Sequence, residues 1–194
     1  KEIFSLEELI EKFSMERVHS SGAKFDYEKA KWFNHEWIKK STASNLLPLV
    51  KEIFAKKGIT IANEEKLRQV IELVKDRCTL LTDFLEQAEF FFIKPGEIDT
   101  AAILSKWNQN KNLFFNELIR TCQFTDIWNA TELENAFKEI ASVNQLKPGE
   151  LMLPLRIMLV GGKYGPGVFE VASLLGKEET IERMVHSLSL LQAK

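Results

Sequence analysis

The stretch Asn63-Glu64-Glu65-Lys66-Leu67-Arg68-Gln69-Val70-Ile71-Glu72-Leu73-Val74 reads as one helix. The short side chain of Asn63 can accept a free N–H of a first helical turn. Leu67, Val70, Ile71 and Val74 then recur at the spacing that lines up one side of a helix. Upstream, Ser44 or Asn45 is predicted to start a helix that ends at Lys56–Lys57–Gly58, with basic residues and glycine where a C-terminus favours them. Before it, Asp26 can cap a helix whose buried face is predicted to include Ala30, Phe33, Trp37 and Ile38. Ser5 with Glu8 forms a capping box ahead of Leu6, Leu9, Ile10 and Phe13.

Downstream the pattern continues. Thr82 is predicted to open a helix through Phe84, Leu85, Ala88 and Phe91, which Lys94–Pro95–Gly96 stops. Further starts are expected at Asp99, at Asn108–Gln109–Asn110, and at Thr131 with Glu134. Lys147–Pro148–Gly149–Glu150 opens another, with proline in the first turn where its missing N–H costs nothing. Gly161–Gly162 closes that helix. Gly165–Pro166–Gly167 leads into a short one ended by Gly176, and Lys177 to Leu191 forms the last. No run alternates with period two, so no sheet is expected. The predicted fold is all-α in two helical lobes, residues 1–94 and 95–194, without internal repeat or low-complexity tract.

The composition fits this reading. The chain has 194 residues, 45% hydrophobic and 28% charged, with 14 Phe against 9 Gly and 5 Pro, which suits helices with aromatic packing. Even Leu151 to Val160 is interrupted by Pro154 and Arg156, so no membrane span is expected. The N-terminus carries no signal-peptide pattern and starts at Lys1, from which we expect a piece of a longer chain. Cys78 and Cys122 sit among apolar residues and read as reduced core thiols of a cytoplasmic protein. His19, His35 and His186 show no metal-ligand spacing, and no metal site is expected. A formal charge of −2 argues against indiscriminate polyanion binding, DNA included, but leaves room for a local cluster that reads a few exposed bases.

The sequence contains no glycine-rich phosphate loop, nucleophile motif or clustered carboxylates and histidines at catalytic spacing, so no catalytic residue is assigned. Two stretches carry more information. One runs Phe25-Asp26-Tyr27-Glu28-Lys29-Ala30-Lys31-Trp32-Phe33-Asn34-His35-Glu36-Trp37-Ile38. The other is Leu153-Pro154-Leu155-Arg156-Ile157-Met158-Leu159-Val160-Gly161, followed by Gly165-Pro166-Gly167-Val168-Phe169-Glu170 and Leu174-Leu175-Gly176-Lys177-Glu178-Glu179. Together, in this order, they resemble the C-terminal anticodon-binding region of bacterial-type glutamyl-tRNA synthetases over essentially the whole chain. The resemblance implies a parent enzyme, expected to be monomeric, that ligates glutamate to its tRNA with ATP and magnesium on a catalytic domain this sequence lacks. The chain itself is expected to need no cofactor, to be inactive alone, and to bind glutamate-accepting tRNA.

An anticodon is a loop of unpaired bases, read by stacking and by hydrogen bonds to base edges. The segment Gly161–Gly167 has suitable materials. Its glycines allow close backbone approach, Tyr164 offers a ring, and Lys163 a phosphate partner. By resemblance, Arg156, Gly165, Pro166 and Val168 lie where the family contacts the anticodon, and Gly167 shares the loop. The family most often has Thr where this chain has Gly165, so a hydroxyl contact there is lost. Arg77 matches a basic position that meets the third anticodon base. Plain structural alternatives remain open: Arg156 as an ion pair with Glu150 or Glu170, Arg77 as a surface partner of Asp83 or Glu72, and the loop as an ordinary connection. Trp32, Phe33 and Trp37 read most simply as core aromatics. The competing function is a helical protein-interaction domain of the same ancestry without RNA binding.

Overall fold

The computed structural model describes residues 2–18, 22 and 24–192; Lys1, His19 and Lys194 lie outside the described residues. Among these, the chain is helical throughout, without strands: α1 (Leu6–Lys12), α2 (Tyr27–Lys40), α3 (Ala43–Lys56), α4 (Glu64–Val74), α5 (Asp83–Ala88), α6 (Ala101–Leu104), α7 (Gln109–Phe124), α8 (Ala130–Val143), α9 (Pro148–Val160), α10 (Val168–Leu175) and α11 (Lys177–Gln192). Single 3-10 turns follow α4 at Lys75–Arg77 and α5 at Glu89–Phe91.

Most helix starts follow from local chemistry. The Asn63 side chain accepts from Lys66 N–H at 2.9 Å, and Asn108 caps α7 through Lys111 N–H at 3.0 Å. Each such cap is worth about 1 kcal/mol. Two starts differ from the sequence expectation. Thr42, not Ser44 or Asn45, caps α3, accepting from Asn45 N–H at 3.3 Å. Asn129, not Thr131, caps α8, accepting from Glu132 N–H at 2.9 Å; asparagine is the stronger N-cap of the two.

Phe54, Leu67, Val70, Ile71, Val74 and Phe84 are fully enclosed between α3, α4 and α5. In the second half, Phe114 meets Phe137 edge-on at 5.1 Å, and Phe137 meets Phe169 at 5.3 Å, joining α7, α8 and α10. Truncating any of these rings costs about 3–5 kcal/mol. The buried side chains continue across Pro95 without a gap, so both halves share one apolar interior.

The N-terminal helices depart from expectation. The Ser5–Glu8 capping box forms, yet Leu6, Leu9, Ile10 and Phe13 stay exposed, so α1 has its local code without a tertiary partner. In α2 only Ile38 is buried; Trp32 and Trp37 are 40% and 44% exposed, which corrects their reading as core aromatics. The reason is that α2 docks through polar groups. Asn34 Nδ2 donates to the Thr79 carbonyl, and His35 Nδ1 lies 2.9 Å from the Cys78 carbonyl oxygen. Those bonds set the helix on the turn after α4 with its aromatic side half open.

Candidate nucleic-acid interface

Helix α9 ends at Gly161, whose φ of 85° is the left-handed conformation that closes helices and favours glycine. A Cβ at that position would come 2.7 Å from both the Glu97 carbonyl oxygen and the Pro95 Cβ, so the segment joining the two halves presses directly on it. Asp99 N–H donates to the Gly161 carbonyl at 2.9 Å. The turn after α9 is thereby fixed against residues 95–99.

From Gly161 the chain runs to α10, whose first-turn N–H groups are free donors behind Gly167, a cap residue without a side chain. Arg156 holds this loop. Its Nη1 donates to the carbonyls of Tyr164 and Gly165 at 3.1 Å each and of Pro166 at 2.5 Å. Neither Glu150 nor Glu170 pairs with it among the described residues, so the ion-pair alternative gives way to a carbonyl clasp. Burial lowers the guanidinium pKa, the charge of Arg77 lowers it further, and Glu170 partly offsets both.

Arg77 is exposed at the end of the 3-10 turn after α4. The acids that could have occupied it have other partners. Glu72 pairs with Lys75 at 2.6 Å, and the Asp83 carboxylate accepts from Thr79 and Leu80 N–H at 2.8 Å each. Arg77 of the first half and Arg156 of the second therefore sit within electrostatic reach of each other, with Arg77 unpaired among the described residues.

Tyr164 is 44% exposed, its ring folded over Gly162 and its hydroxyl donating to the Val160 carbonyl at 3.3 Å. Burial, with Glu89 and Glu86 nearby, raises its pKa. The Phe90 ring lies 6.1 Å away, tilted by 60°. These two rings border a cleft of about 720 Å³ that is also lined by Asp83, Glu86 and Glu89 and by Lys57 and Lys94. Sequence reading missed Phe90 and these acids. The run Phe90–Phe91–Phe92 was the available signal: all three rings pack in or against the core, and Phe90 lines the cleft as well.

Of the remaining candidates, Lys163 is exposed, whereas Pro166 and Val168 are buried and can offer a ligand little beyond their backbone. Gly165 has φ 98°, and a Cβ there would meet Phe90 at 3.3 Å. Both features favour glycine at this position. At Gly167 the space for a Cβ is filled by the Glu170 carboxylate, 2.1 Å away.

The anticodon binding domain family matches residues 27–188. Over 191 residues the chain is 36% identical to a glutamate–tRNA ligase of Flavobacterium johnsoniae, and 34% identical to one of Porphyromonas gingivalis; each alignment covers 98% of this chain and 38% of the relative. A crystal structure of a glutamate tRNA ligase from Elizabethkingia meningosepticum superposes with a TM-score of 0.89 at 33% identity, over 98% of this chain and 38% of that one. The chain thus spans well under half the length of the curated relatives it matches.

Proposed function

The chain belongs to the anticodon binding domain family, and from that premise we propose that it reads the anticodon loop of glutamate tRNA as part of a longer glutamate–tRNA ligase. In that longer protein a separate catalytic domain would join glutamate to the tRNA with ATP and magnesium. The observation that carries the reading is the convergence of Arg77 and Arg156, from the two halves of the chain, beside the Gly161–Gly167 loop. A guanidinium unpaired among the described residues, a half-exposed tyrosine ring and first-turn N–H groups without a side-chain cap supply charge, stacking and donors at one place. Asp83, Glu86 and Glu89 in the cleft suit amino groups of bases, while Lys57 and Lys94 of the same lining suit acceptors.

The test is titration of the chain with glutamate tRNA and with the same tRNA altered in its anticodon. Binding that weakens on anticodon change supports the reading; equal binding to both, or none to either, refutes it. The competing protein-interaction reading draws on the open aromatic side of α2, and would show as tRNA-independent association through Trp32 and Trp37.

A further inference from the structure

A second cavity, of about 550 Å³, opens at the start of α9 and is lined by Lys106, Lys111, Gly149, Glu150 and Leu153, among others. Lys111 is only 5% exposed. Its ammonium donates to the Lys106 carbonyl at 2.7 Å, and among the described residues no carboxylate pairs with it. A lysine ammonium has three protons, so one acceptor leaves both donor capacity and charge uncompensated. Burying a cation without a counter-ion is costly, and a bound anion removes that cost.

The other walls suit an anion as well. Lys106, an exposed residue, lines the same cavity and adds a second positive charge to its surroundings. The cap residue of α9, Lys147, makes no side-chain capping bond, and Pro148 has no N–H to give. The Gly149 N–H is a first-turn donor without an intrahelical acceptor. Nothing lies within 4 Å of where a Gly149 Cβ would stand, so the cavity is open beside this residue. Glu150 is the acid of the rim, outnumbered by two lysines.

Position links the cavity to the loop. Gly149 and Arg156 are two helical turns apart on one side of α9, about 10 Å along its axis, with Leu153 of the cavity wall between them. Resting on the tRNA-binding reading, we propose that this cavity is a pocket for one phosphate of the RNA backbone, held by Lys111, Lys106 and the Gly149 N–H. The strand whose bases lie at Arg77 and Arg156 continues along α9 to be anchored there.

The probes are inorganic phosphate, followed by amide NMR of the chain, and glutamate tRNA, titrated over a range of salt concentrations. Phosphate should move the Gly149 and Glu150 amide signals, and Gly149→Glu, whose side chain enters open space, should abolish that movement. Lys106→Ala and Gly149→Glu should weaken tRNA binding about tenfold, as loss of one charge-assisted contact does. Lys106→Ala should also make the log–log salt slope shallower by about 0.7. Lys111→Met should act likewise, with its fold checked by circular dichroism, and Glu150→Gln should tighten binding. If these variants leave tRNA affinity and slope unchanged while anticodon preference persists, the pocket is wrong and the base-reading site stands. If phosphate moves the signals but the chain binds no tRNA, the RNA assignment is overturned together with the functional reading. If phosphate moves nothing, the cavity is not an anion site.

Discussion

Nη1 of Arg156 donates to the Pro166 carbonyl at 2.5 Å, so a side chain of α9 sets the backbone that begins α10. The same nitrogen reaches two further carbonyls of the loop, Tyr164 and Gly165, and the loop's shape is decided before any ligand arrives. Preset donors lose little on binding, since the cost of ordering them is met in folding.

Arg156→Met should therefore lower stability by about 2 kcal/mol, the order expected when charge-assisted bonds to backbone carbonyls are lost. Arg156→Lys should recover less than half, because the lysine ammonium stops one bond short of where Nη1 meets the three carbonyls. Urea unfolding of the three proteins decides this. Wild-type stability in the Met variant would mean the clasp is incidental.

Arg77 offers the opposite case: exposed and unpaired among the described residues, it should matter little to folding. Arg77→Gln should change stability by less than about 0.5 kcal/mol. An unpaired cytosine shows two acceptors to a guanidinium, whereas guanine shows two donors, a difference of roughly tenfold to a hundredfold in preference. The variant should narrow the preference for C over G at the third anticodon base, measured with tRNAs that differ only there. An unchanged ratio would leave Arg77 as surface charge.

The two loop glycines should separate. Gly165→Thr forces a branched residue to φ 98° with Phe90 at 3.3 Å, and should cost about 1–3 kcal/mol of stability. Gly167 has an ordinary φ of −58°, and its obstacle is the movable end of Glu170. Gly167→Val should thus weaken tRNA binding more than it weakens folding. Equal losses in both would confine that glycine to the turn.

Burial pushes the Cys78 thiol up to about 12, with Asp83 adding to it, and burial pushes Cys122 up to about 11 against the pull of Lys177. Both values are raised in the fold, so the unfolded chain gives up these protons first as pH climbs. Stability from these thiols is complete below about pH 8.5 and is lost between there and the folded values. Melting temperature should fall over pH 9–11, less steeply in Cys78→Ala, and native thiols should resist iodoacetamide at pH 8 until denaturant is added. Rapid labelling of the native protein would contradict the burial.

The helices were legible because caps and apolar spacing are local: Asn63, Asn108, Pro148 and Gly161 each announce a boundary through their own chemistry. Arg77 and Arg156 were singled out through resemblance, and Arg156 also through its oddity inside an apolar run; the carbonyl clasp it makes was not foreseen. What the sequence could not show is which apolar faces acquire partners. Trp37 has the spacing of a core residue, yet α2 is held by the carbonyls of Cys78 and Thr79, from a distant part of the chain. The acids beside Tyr164 were hidden for the same reason, since Glu86 and Glu89 meet it only once Pro95 has turned the chain back on itself.

That return at Pro95 has a further consequence. Pro95 and Glu97 press on Gly161, Asp99 bonds its carbonyl, and Lys94 pairs with Glu182 on α11. A peptide that looks in sequence like a tether is stitched to the second half at several points. Cleavage between Pro95 and Gly96 should therefore yield not two independent pieces but a nicked protein whose fragments co-purify, and whose separated halves restore one another on mixing. Extra residues inserted there should disturb the Gly161–Gly167 loop, making the spacing of this connection a control at a distance on whatever that loop binds.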